Sequence, residues 1–205
     1  MKKNIVFDFG GVLFRWRPAM LLAQLWPQRV ASAEQAGPVV ADFFQAYGGD
    51  WGLFDQGLIG MDEVVDRISA RTGWPLGEVA QVAAAVPNEL QLLPDTVALI
   101  GELKRAGHRL FFLSNMPEPY ADHLERTYPL ADWFDAGVFS GRVKQIKPHA
   151  AIFETALQRF GVAAETCVFL DDHPANVEAA KAQGWQALLF TTAAEARPGL
   201  AELLR

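Results

Sequence analysis

Three apolar runs in this sequence end abruptly on polar residues: Ile5-Val6-Phe7 runs into Asp8, Phe111-Phe112-Leu113 into Ser114-Asn115, and Phe169-Leu170 into Asp171-Asp172. A lysine, Lys147, stands before Pro148 between the last two. Brought together, these residues would supply three carboxylates, a hydroxyl, an amide and an ammonium group. Unpaired carboxylates in a cluster repel one another strongly. A hard divalent cation resolves that conflict, and Mg2+ favours one or two carboxylates, waters and a phosphate oxygen over an all-protein cage. Carboxylates, cation, lysine and hydroxyl together describe phosphoryl-transfer chemistry.

For these residues to meet, the apolar runs must be neighbouring strands that point the same way. Composition predicts buried strands at Asn4–Phe7, Arg109–Leu113, Thr166–Leu170 and Gln186–Phe190, with a weaker fifth near Gly137–Phe139. Helical patterns lie between them: Pro94–Ala106, started by Pro94 and Asp95 and ended by Gly107; Pro148–Phe160; and Pro174–Gln183, stopped by Gly184. Alternation of strand and helix implies an α/β fold with a Rossmann-like parallel sheet. Such sheets bind ligands outside the carboxyl ends of their strands, where the polar residues fall.

Residues 15–86 break the alternation, because helix-like stretches (Pro18–Trp26, Val39–Tyr47, Met61–Thr72, Leu76–Ala85) follow one another without a strand. The expected organisation is a core of residues 1–14 and 87–205 interrupted by an all-helical insertion over 15–86. Gly10-Gly11, Gly48-Gly49 and the segment Val86–Pro94 are the turn and hinge positions.

At 205 residues and 51% hydrophobic, the chain can bury one sizeable core and carry a smaller unit. A net charge of −6, with lysines and arginines scattered, offers no electrostatic footprint for nucleic acid or an anionic membrane, so a small diffusible substrate is expected. The lone Cys167, inside an apolar run, can form no intrachain disulfide and fits a reducing, cytoplasmic location. Met1-Lys2-Lys3 begins like a signal peptide, but Asp8 interrupts the apolar stretch, and no segment reaches membrane-spanning length. A monomer or homodimer is expected.

Asp8-Phe9-Gly10-Gly11-Val12, Ser114-Asn115, Lys147-Pro148 and Asp171-Asp172 resemble, in order and spacing, the four motifs of the haloacid dehalogenase-like hydrolase superfamily. One such string is weak; four in order, each at a strand end, are specific. The helical insertion is similar to the superfamily's type-1 cap, and Phe54-Asp55-Gln56-Gly57-Leu58-Ile59-Gly60-Met61-Asp62-Glu63 resembles its turn-and-helix segment. The resemblance implies an Asp8 nucleophile that forms an aspartyl-phosphate. It implies that Ser114, Asn115 and Lys147 hold the phosphoryl oxygens. Mg2+ would be held by Asp8, the Gly10 carbonyl, Asp171 and Asp172.

Gly10 departs from the pattern. Most phosphatases of this superfamily carry a second aspartate two residues after the nucleophile, as general acid and base, a contribution of roughly a hundred- to ten-thousandfold. The Gly10 carbonyl can still serve the metal, and a water could enter the space left by the missing carboxylate. The same Asp-x-Gly form resembles a branch that includes bacterial α-glucose-1-phosphate phosphatases. An anomeric leaving group needs less protonation, so sugar 1-phosphates or other esters with good leaving groups are the expected substrates.

Plainer readings stand beside these. Asp8 could end a strand, Ser114-Asn115 form a turn, and Asp171-Asp172 cap a helix. Lys144 rivals Lys147, and Asn176 serves equally as cap or as orienter of the acidic loop. His173 is read as structural or solvated. The tryptophans of the insertion are read as packing residues, in preference to a substrate-facing Trp51 and Asp55. Competing functions are a 2-haloacid dehalogenase-type hydrolase, against which Asp171-Asp172 argues, and a weakly active phosphate-binding regulatory protein.

Overall fold

The computed structural model describes residues 2–45 and 48–205. Five parallel strands form one sheet in the order β3-β2-β1-β4-β5: β1 (Asn4–Phe7), β2 (Arg109–Ser114), β3 (Ala136–Phe139), β4 (Cys167–Asp171) and β5 (Gln186–Leu189). The strands are continuous apolar runs because both faces are covered. Ile5, Phe7, Phe112 and Leu170 face one core layer; Val6, Phe111, Leu113 and Phe169 face the other. Complete burial of such side chains contributes roughly 1.5–3 kcal/mol each.

Between β1 and β2 run α1 (Pro18–Leu25), α2 (Gly37–Phe44), α3 (Asp50–Asp55), α4 (Met61–Thr72), α5 (Leu76–Glu89) and α6 (Pro94–Arg105). α7 (Glu118–Thr127), α8 (Leu130–Trp133), α9 (Ser140–Val143), α10 (Ala150–Phe160), α11 (Pro174–Ala182) and α12 (Ala193–Leu203) connect or follow the remaining strands. α10 and α11 cover the Val6 face through Ile152, Phe153 and Val177. α6, α12 and the helices after β1 cover the Ile5 face.

The first strand appears with the expected ends, and the other four have ends shifted by at most one residue. The helix expected over Val39–Tyr47 begins at Gly37 and is α2; its expected end, like Met1, lies outside the described residues. The helix expected to stop at Ala85 instead continues through Pro87 to Glu89. Proline lacks the N–H that would bond the carbonyl four residues earlier. Here Tyr120 Oη, from α7, donates to that Ala83 carbonyl at 2.7 Å.

The chain leaves the sheet for α1 and returns from α5 along adjacent paths. Arg15 N donates to Gln91 O at 2.7 Å and Leu93 N to Leu13 O at 2.9 Å, with Phe14 bridging antiparallel to Leu92. Arg15 grips Glu89 with two bonds of 3.0 Å, and Arg17 adds a third at 3.3 Å. The Val86–Pro94 passage is therefore tied to the outgoing strand end.

Candidate active site

β1 is the central strand, and its last residue, Phe7, pairs with Phe112 of β2 and Leu170 of β4. Asp8 follows directly, its N–H donating to Leu170 O at 2.9 Å. The carboxyl ends of β1, β2 and β4 thus share one edge. Beyond Asp8 the chain folds back tightly, with Phe9 O accepting from the N–H groups of Leu13 and Phe14 at 2.9 and 2.7 Å. Gly11 takes φ +73° in this turn, a conformation that favours glycine.

Asp8, Asp171 and Asp172 each present a carboxylate oxygen within 4.8 Å of the others. Lys147, only 1% exposed, lies between two of them: Nζ is 2.8 Å from Asp8 Oδ1 and 2.6 Å from Asp171 Oδ2. A second set of donors fixes Asp171. Asn176 Nδ2 donates to both its oxygens at 3.0 Å, and the His173 N–H donates to Oδ1 at 2.8 Å. Asp171 is buried beneath the cluster, while Asp172 faces the open side. The α11 cap is His173, whose Nδ1 accepts from Ala175 N at 3.3 Å, so Asn176 serves the acidic loop.

Ser114, at the end of β2, is buried, and its Oγ has no hydrogen-bond partner among the described residues. A buried hydroxyl left open in this way suits an incoming anionic oxygen. Asn115 is engaged with the lysine segment: its Oδ1 accepts from Lys147 N at 2.8 Å and its Nδ2 donates to Lys147 O at 3.0 Å. Its amide therefore positions the lysine backbone before it can serve any ligand. Lys144 is turned elsewhere, donating to Gly57 O and Gly141 O at 2.7 and 2.8 Å.

Electrostatics follow from burial. Desolvation raises the Asp8 carboxyl to about 7, Lys147 opposing and Asp171 and Asp172 reinforcing the shift. Asp172 is raised to about 6, by burial first and then by Asp171. Burial alone would lower Lys147, but the charges of Asp171 and Asp8 outweigh it and hold its ammonium form well above the ordinary range. The cluster carries more negative charge than one lysine balances. Its hard oxygen donors fit a hard divalent cation such as Mg2+, with Asp8, Asp172 and Asp171 as the carboxylates available to hold it.

The edge opens into a cavity of about 810 Å³, reached by Asp8, Gly10, Asn115, Lys147, Asp172, His173 and Asn176. The rest of its lining is largely apolar: Trp16, Val40, Phe44, Trp51, Val86, Leu90 and Met116. Trp51 is both a packing residue, edge-on to Phe44 and Phe54, and a wall residue. Asp55 lines the same cavity, so the less favoured placing of Trp51 and Asp55 on its lining is the one observed. Trp16 borders the space beside Gly10. A Cβ there would find Trp16 atoms as its nearest neighbours, at 3.7 to 3.9 Å, so an indole flanks the position assigned to a water.

The chain belongs to the haloacid dehalogenase-like hydrolase family, whose sequence profile matches residues 2–184. It is 27% identical over 190 residues to a sesquiterpene phosphatase of Aspergillus oryzae, covering 92% of this chain and 90% of that one. A phosphoglycolate phosphatase of Rhodospirillum rubrum is 30% identical over 198 residues, covering 90% and 77%. The fold is also that of a family enzyme from Bacteroides thetaiotaomicron solved in complex with magnesium and inorganic phosphate: TM-score 0.69, 23% identity, 92% and 93% coverage.

Proposed function

We propose that this protein is a Mg2+-dependent phosphatase that hydrolyses a small phosphorylated metabolite through an aspartyl-phosphate on Asp8. The observation that carries the reading is the Lys147 ammonium held between Asp8 and Asp171 at the mouth of the cavity. The names of the Aspergillus and Rhodospirillum relatives support phosphoester hydrolysis as the reaction. The acidic pair Asp171-Asp172 argues against a dehalogenase, which needs no cation.

In this reading the Asp8 carboxylate attacks phosphorus, a P–O bond to Asp8 forms, and the ester P–O bond breaks. Lys147 neutralises charge on the transferring group, Ser114 Oγ donates to one of its oxygens, and Asn115 keeps Lys147 in register. Asp171 holds Lys147 and completes the acidic cluster. Mg2+, held by Asp8, Asp172 and the Gly10 carbonyl with Asp171 beside them, would supply the positive charge that this site lacks. Water then attacks phosphorus and releases phosphate and Asp8. Residues 15–86 act as a helical cap that shapes the substrate end of the cavity. A reducing cytoplasm remains the proposed location; no described helix is long and apolar enough to cross a membrane.

The wall residues narrow the substrate. Sugar hydroxyls buried against Trp16, Phe44, Trp51 and Leu90 would lose their water without gaining partners. An apolar alcohol gains about 0.8 kcal/mol per buried methylene there. The sesquiterpene phosphatase relative points the same way. The preferred substrate is therefore the monophosphate of a hydrocarbon alcohol, with sugar 1-phosphates the alternative that Gly10 suggests. The test is phosphate release from farnesyl phosphate, glucose 1-phosphate, glucose 6-phosphate and phosphoglycolate, with and without Mg2+, alongside Asp8→Asn. Farnesyl phosphate should show the highest kcat/KM; glucose 1-phosphate ahead of it would overturn the substrate assignment. Turnover without Mg2+, or by Asp8→Asn, would overturn the mechanism.

A further inference from the structure

Gly10 offers no side chain to protonate the departing alkoxide, and Trp16 flanks the place where one would extend. Among the described residues lining the cavity, the carboxyl groups are Asp8, Asp172 and Asp55. The first two come from the strand ends; Asp55 comes from the last turn of α3, on the side of the helices that follow β1. In-line displacement sends the leaving oxygen away from the attacking carboxylate. With Asp8 at the sheet edge, that direction is toward the helical side of the cavity.

Asp55 is held in place by the core rather than by its own helix alone. Its carbonyl accepts a hydrogen bond from Ser140 Oγ, a buried hydroxyl that also accepts from Met116 N at 2.8 Å. The next residue, Gln56, donates through Nε2 to Lys144 O at 2.9 Å. Lys144 Nζ returns to Gly57 O at 2.7 Å. Gly57, at φ +71°, lies so close to the core that a Cβ would stand 2.3 Å from Gly141 O. All of these contacts use the backbone or side chains of neighbours. The Asp55 carboxyl itself accepts no hydrogen bond from the described residues.

We propose that Asp55 is the proton donor and acceptor of the reaction, in place of the side chain that position 10 lacks. The proposal rests on the phosphatase reading above. In the first step the Asp8–phosphorus bond forms, the ester P–O bond breaks, and the Asp55 carboxyl proton passes to the leaving oxygen, giving the neutral alcohol. In the second step water bonds to phosphorus, the Asp8–phosphorus bond breaks, and a water proton passes to the Asp55 carboxylate. Asp55 ends as it began. Its surroundings suit the protonated starting form: burial, then the Asp8 charge, push its carboxyl up to about 8 against the pull of Lys147, and Tyr120 is the other titratable group beside it.

Rapid-quench kinetics on Asp55→Asn and Asp55→Glu test this, using 4-nitrophenyl phosphate and farnesyl phosphate as substrates. Nitrophenolate leaves without a proton, so Asp55→Asn should keep a stoichiometric burst with the first substrate while steady turnover falls roughly 10²- to 10⁴-fold. With farnesyl phosphate the burst itself should slow by a similar factor, and Asp55→Glu should recover part of both losses. Wild-type turnover by Asp55→Asn, or a rise in KM alone for both substrates, would overturn the proposal. Asp55→Ser gives the same comparison should the asparagine variant fail to fold. A wild-type enzyme that forms no phosphoenzyme would instead remove the phosphatase reading itself, so the two failures are distinct.

Discussion

The Asp172 carboxylate rests against the α-carbon of Gly11, where an added Cβ would lie 2.2 Å from Oδ2 and 2.6 Å from Cγ. The nucleophile turn and the acidic loop can approach this closely only because position 11 has no side chain. Gly11 also needs its φ of +73°. Gly11→Ala should therefore push Asp172 out of the cluster, raising the Mg2+ concentration for half-maximal activity about 10- to 100-fold, the range for residues that orient metal ligands. Titrating activity against Mg2+ checks it; an unchanged curve would refute the packing argument.

Removing Lys147 should cost stability as well as activity. Lys147→Met leaves Asp8 and Asp171 facing each other without a cation. Breaking a buried pair in this way costs about 3–5 kcal/mol. Urea unfolding should show that loss in the single variant, and Lys147→Met combined with Asp171→Asn should recover part of it while remaining inactive.

Stability should fall as pH rises when Mg2+ is removed. Asp8, Asp172 and Asp55 have folded values raised to about 7, 6 and 8 from an ordinary 3.8. The folded protein thus binds more protons than the unfolded chain between about pH 4 and 8, and its stability declines across that window. Thermal melts in EDTA should give a lower Tm at pH 8 than at pH 5, with saturating Mg2+ shrinking the difference. A Tm rising over that range in EDTA would contradict the assignment.

Tyr120→Phe should destabilise the protein by about 0.5–1.5 kcal/mol, because the Ala83 carbonyl, which Pro87 cannot serve, would lose the hydrogen bond from Tyr120 Oη. Its burst kinetics should change less than those of Asp55→Asn. Unfolding midpoints and the burst amplitude together check this.

The sheet was legible because its strands are short, apolar on both faces and bounded by polar residues, so Asp8, Ser114 and Asp171 stood out as interruptions. α12 was not, since Pro198 and Gly199 lie inside it and its pattern reads as a breaker. The passage of α5 through Pro87 depends on Tyr120, thirty-odd residues away, and no local signal announces such a partner. The same holds for the cavity. Trp16, Trp51 and Asp55 reach it through the packing of helices against the sheet edge, and a sequence pattern records which residues are apolar but not which gap they border. Asn115 was found by motif, yet its grip on the Lys147 backbone is a property of the fold.

Trp16 is the nearest neighbour of position 10: a Cβ there would meet its Cβ, Cγ and Cδ1 at 3.7 to 3.9 Å, an ordinary van der Waals contact. A methyl group at position 10 would therefore fit beside the indole and leave its edge-on packing on Phe44 undisturbed. What position 10 withholds from the site is thus a functional group and not the room for its first carbon.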